Sequence, residues 1–128
     1  MTQSSNRPFI ESIRRDLSVN DAEKLQNETI RPIVKKLHSL LMQHLAKSIA
    51  SKGTDFKNYS PEQQRAYLEK FLTKDQSMIN QIKGMILGHF SHEEFTLFYA
   101  NRIETGKRMI AIVRKRAKEH LTEIAAYM

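Results

Sequence analysis

The clearest pattern along the chain is an apolar stripe that recurs at helical spacing. Ile33, Leu37, Leu40, Leu41, Leu45 and Ile49 repeat every three or four residues and predict a long amphipathic helix. Ser51-Lys52-Gly53 ends it with a glycine cap. Upstream, Ser18 or Asn20 can cap its start, with Asp21 and Glu23 in the first turn, where the helix dipole favours acids. Pro32 removes a backbone donor, so the helix is expected to kink or split there.

After a loop over 54–59, Ser60-Pro61-Glu62-Gln63 combines a serine cap, proline at the first helical position and a glutamine that closes a capping box. Tyr67, Leu68, Phe71 and Leu72 then face inward. Thr73 or Asp75 starts a further helix, with the stripe Met78, Ile79, Ile82, Met85, Ile86 and Phe90. Gly84 and Gly88 on this helix suggest a close helix contact.

Ser91-His92-Glu93-Glu94 opens the last third as a second capping box. Phe95, Tyr99, Ile103, Ile110, Val113, Ala117, Leu121 and Ile124 fall on one side of the helix that follows. Gly106 lies on that side too, as a break or a point of close approach, and a break between Asn101 and Gly106 is favoured. No strand-like alternation of useful length occurs. The fold class is therefore all-α: a four- or five-helix bundle or orthogonal array, with a long C-terminal helix broken near Gly106. Residues 1–19, with Pro8 and a short stripe of Phe9, Ile10, Ile13 and Leu17, read as an N-terminal arm; residues 20–128 read as one helical domain.

Composition narrows the chemistry. No cysteine occurs among the 128 residues, which excludes disulfides, thiolate metal sites and cysteine nucleophiles. No apolar run approaches the ~20 residues of a membrane helix, and no secretory leader is visible, so a cytoplasmic location is expected. The formal charge is +7. It is concentrated in residues 102–118, where seven cations accompany one anion, Glu104.

Two candidate sites follow. Lys107, Arg108, Arg114, Lys115 and Lys118 form a basic helix face, read either as a solvated surface or as a phosphate-binding stripe for nucleic acid. A short connection at Gly88–Ser91 would allow a helix-turn-helix with the last helix as reader. Gln26, Asn27, Glu28 and Arg31 cluster before Pro32, where a kink exposes backbone groups to a ligand or partner. Histidines are the remaining place to seek a metal: His38 and His44 lie on different sides of their helix, and His89, His92 and Glu93 span a helix boundary. No His-Glu-x-x-His or Glu-x-x-His motif, phosphate-binding loop or nucleophile elbow is present, so neither a metal site nor a cofactor nor a catalytic residue is assigned.

Three stretches carry a resemblance: 22–33 (AEKLQNETIRPI), 83–88 (KGMILG) and Asn101 through Met109. Together they resemble a group of short helical proteins from Bacteroidetes, some of which carry a glyoxalase label. The likeness covers most of residues 20–118 and brings no functional residues with it. Glyoxalase I enzymes resemble metal-binding βαβββ folds, for which this chain offers neither the strands nor a clear ligand set. The sequence thus reads as a small non-catalytic binding or interaction protein that forms a homodimer. Nucleic-acid binding through the basic face and small-ligand binding or catalysis at the Pro32 cluster are its alternatives.

Overall fold

The computed structural model describes residues 21–128; the arm and the cap expected at Ser18 or Asn20 lie outside them. Every regular element is helical: α1 (Ala22–Leu25), a π turn (Gln26–Ile30), α2 (Arg31–Lys36), α3 (His38–Ser51), a 3₁₀ turn (Phe56–Asn58), α4 (Pro61–Lys74), α5 (Gln76–Leu87), α6 (His92–Ala100), α7 (Arg102–Lys118) and α8 (Leu121–Ala126). Among the described residues there is no strand, and no helix is long and apolar enough to cross a membrane.

The centre of the array is α7. It packs against the π turn, α2, α4, α5, α6 and α8. Its inner stripe, Met109, Ile110, Val113 and Ala117, is buried against Leu41, Leu45, Leu68, Leu72, Ile82, Ile86 and Ile124 in one continuous core. Met42, Met78 and Met109 are core filler, as an unbranched thioether suits.

Local signals set most boundaries. Both capping boxes form. The Ser60 hydroxyl accepts the Gln63 N–H at 3.2 Å and Gln63 Oε1 accepts the Ser60 N–H at 2.9 Å. Ser91 and Glu94 repeat this at 3.2 and 2.8 Å. Gly53 ends α3 with φ 73°, a left-handed conformation that disfavours a side chain. Asp75, rather than Thr73, caps α5: its Oδ1 accepts the Met78 N–H at 3.0 Å.

Pro32 acts one turn earlier than a simple kink. It has no N–H for the carbonyl of Glu28, and its ring would crowd that carbonyl in an α-helix. The preceding turn is widened, and the Arg31 N–H reaches back five residues to the Gln26 carbonyl. The bend proper comes at Leu37 (φ −89°, ψ 6°), across which hydrogen bonding continues from Leu37 to Ile33 and from Leu41 to Leu37.

The last third breaks at Asn101 (φ −145°, ψ 56°), at the amino end of the expected interval, and its side chain makes no capping bond. The break shifts the helical phase. Phe98 takes the inward position, and Phe95, Tyr99 and Ile103, expected to be inside, are 40, 56 and 70% exposed. Gly106 is buried within α7, where a Cβ would meet Lys83 Nζ at 3.3 Å. It is the close approach; Gly84 and Gly88 are both exposed, with no neighbouring helix against them among the described residues.

Two outcomes follow. Gly106→Ala should stabilise the protein in urea denaturation by up to about 1 kcal/mol. Alanine favours the helix, and among the described residues the nearest obstruction is the flexible end of Lys83. Asp75→Ala should cost about 1 kcal/mol through loss of the cap. The Met78 N–H, and after it Lys52, hold the Asp75 carboxyl below its usual range. Its contribution is thus complete above the ordinary aspartate pKa and lost as pH falls through the lowered value, so parent and variant should converge in stability in acid.

Candidate anion-binding grooves beside α7

The outer ridge of α7 runs through Lys107, Ala111 and Lys115, all exposed. Ala111 carries no side chain beyond a methyl group, and a hollow opens on each side of it. The first, of about 640 Å³, lies between α7 and the π turn and α2. Arg31, Lys35, Arg108, Lys115 and Arg116 line it with Gln26 and Asn27, against a single described carboxylate, Glu119. The second, of about 570 Å³, lies between α7 and α4–α5 and is lined by Lys83, Lys107, Arg108 and Arg114, with Glu104 as its one described carboxylate.

The two sequence candidates therefore meet. Arg108 Nη1 donates to Gln26 Oε1 at 2.6 Å, tying α7 to the π turn, while its Nε lies 3.3 Å from Glu104. Arg31 Nε donates to Asn27 Oδ1 at 3.0 Å, which holds the guanidinium at the rim. The π turn is itself anchored elsewhere. The hydroxyl of buried Thr29 donates to Glu94 Oε2 at 3.0 Å, using the oxygen that the α6 capping box leaves free. Glu28 is exposed and does not line either hollow.

The five cations of the basic face are not equivalent. Arg114 lies 3.5 Å from Glu69 and donates to the Leu72 carbonyl at 3.2 Å. Lys118 donates to Glu69 Oε1 at 2.6 Å. The Lys118 hydrogen bond, followed by the charge of Arg114, holds the Glu69 carboxyl below its usual range. One carboxylate on α4 thus partly neutralises the carboxyl-terminal part of the face. Lys107 and Lys115 have no hydrogen-bond or ion-pair partner among the described residues.

Several lining residues escaped the sequence reading. Arg116 and Lys35 join the first groove and Lys83 the second. For Arg116 the signal was present: it follows Arg108 by eight residues, two α turns and a fraction, and so shares its stripe. Its Nη1 donates to His38 Nδ1 at 3.1 Å, and His38 Nε2 lies 2.8 Å from Glu123 Oε1. His44 pairs instead with Gln81 at 2.8 Å. The helix after the Gly88–Ser91 connection is α6, which contains no Lys or Arg and carries two glutamates in its first turn, so the cations lie on α7 rather than on a reader helix.

No protein-family profile, curated protein or solved structure matches the chain.

Glu69→Gln should release Lys118 and free Arg114 of its ion pair, leaving its bond to the Leu72 carbonyl. The variant should elute from a heparin column at higher salt than the parent. Its stability should change by no more than about 1 kcal/mol, as for other exposed ion pairs.

Proposed function

We propose that this chain is a non-catalytic binding protein that takes the phosphate backbone of nucleic acid across the outer ridge of α7, without reading base sequence. The observation that carries this reading is the set of cations flanking Ala111 on both sides, each groove holding a single described carboxylate. Such a surface presents a polyanion with a low ridge, a positive wall on either side and two lysines on the crest that have no partner among the described residues.

The lining chemistry narrows the ligand. No described aromatic side chain lines either hollow, so bases have no platform on which to stack. The Gln26 carboxamide oxygen is engaged by Arg108, and Asn27 by Arg31. The charged lining is guanidinium and ammonium groups, which contact phosphate and position a duplex. Duplex is therefore favoured over single strands.

Fluorescence anisotropy of a generic DNA duplex should give micromolar binding at low salt. The log–log salt slope should be about −4, as four or five neutralised phosphates produce. Lys107→Glu combined with Lys115→Glu should abolish binding while leaving the fold intact, because neither side chain has a hydrogen-bond or ion-pair partner among the described residues. Lys70→Glu, on the exposed face of α4, should weaken binding far less. Absence of duplex binding at low salt, or equal binding by the Lys107/Lys115 double variant, would sink the reading.

A further inference from the structure

A second cluster lies where α7 gives way to α8. His120 occupies the break, Glu123 follows three residues on, and His38 opens α3 opposite them. One ligand atom from each of the three lies within 4.8 Å of the others, and all three residues are partly buried. Hydrogen bonding defines their tautomers. His120 Nδ1 lies 2.7 Å from the Arg116 carbonyl, which only accepts, so Nδ1 carries the proton and Nε2 keeps a lone pair. This imidazole-to-carbonyl bond is the outer contact that orients metal-binding histidines. Arg116, a donor only, faces His38 Nδ1, so His38 Nε2 carries a proton and gives it to Glu123.

We propose that His38, His120 and Glu123 bind a divalent transition-metal ion of the zinc class, which takes the place of the proton shared between His38 and Glu123. The inference does not rest on the nucleic-acid reading. An ion set between ligand atoms no more than 4.8 Å apart lies within about 2.8 Å of each, against zinc bonds of roughly 2.0–2.2 Å. Side-chain movement of less than about 1 Å closes the difference. Two imidazoles and one carboxylate suit zinc, cobalt or nickel rather than magnesium or calcium, and three protein ligands leave a fourth position for water.

Proton and charge balance as follows. His38 coordinates through Nε2, whose proton leaves as Nδ1 gains one, so the ring stays neutral. The Nδ1 proton now faces the Arg116 guanidinium, and that hydrogen bond must break. Arg116 already lines the groove beside the π turn and turns into it. Metal binding therefore adds a free guanidinium to that groove.

The test is titration of the full chain with cobalt(II), followed by its visible absorption, and with zinc by calorimetry. One ion should bind per chain with micromolar or tighter affinity, and zinc should raise the melting temperature. His120→Ala and Glu123→Gln should each weaken binding at least about tenfold. His89→Ala with His92→Ala, which removes the other close histidine pair, should leave binding unchanged. The proposal is overturned if the parent shows no saturable one-to-one binding. It is equally overturned if binding is undiminished in Glu123→Gln or in His120→Ala. Circular dichroism of each metal-free variant separates loss of ligands from loss of fold.

Discussion

Burial of one helix stripe is the constraint on which the structure depends. Met109, Ile110, Val113 and Ala117 must leave water together, and a single helix cannot hide them. The helices around α7 supply the cover: Leu68 and Leu72 from α4, Ile82 and Ile86 from α5, Ile124 from α8. Ala117 and Gly106, small and buried, let neighbours come near. Because the inner stripe is fixed, the outer one is fixed as well. Lys107, Ala111 and Lys115 face solvent for the same reason that Val113 does not.

The π turn converts this core arrangement into a site. Pro32 makes an α turn before it unfavourable, and the wider turn stands where Gln26 can meet Arg108. Thr29 and Glu94 secure the turn to the start of α6. Glu94 serves two ends at once: one oxygen closes a capping box and the other accepts from Thr29. The groove is thus bounded by a turn that proline widens and a helix that the core orients.

What the sequence revealed was what is encoded locally. The capping boxes at Ser60 and Ser91 and the glycine at 53 need only neighbouring residues, and all three appear where expected. The inward faces of Ile110, Val113 and Ala117 were legible because they lie within one unbroken helix. Phe95, Tyr99 and Ile103 were misplaced because periodicity was carried across Asn101, where the helical phase is lost. The pairing of Glu69 with Arg114 and Lys118 joins residues more than forty positions apart, and nothing local announces it. The same holds for His38 with His120 and Glu123. The spacing His120-x-x-Glu123 was visible, but not the helix that brings His38 to it.

A π turn holds one residue more than the α-helix around it needs. Its role here is one of phase: an extra residue in a plain α-helix would rotate what precedes it by about 100°, and the wider turn takes that residue up instead. If Glu28, exposed and without a role in the core, were deleted, the turn could close as an ordinary α turn. Ala22 and Leu25 would keep their buried places beside α6, but Pro32 would again crowd the carbonyl behind it. The widened turn sets the angular register between the beginning of the described chain and everything after it. At this junction a change in length matters more than a change in side chain.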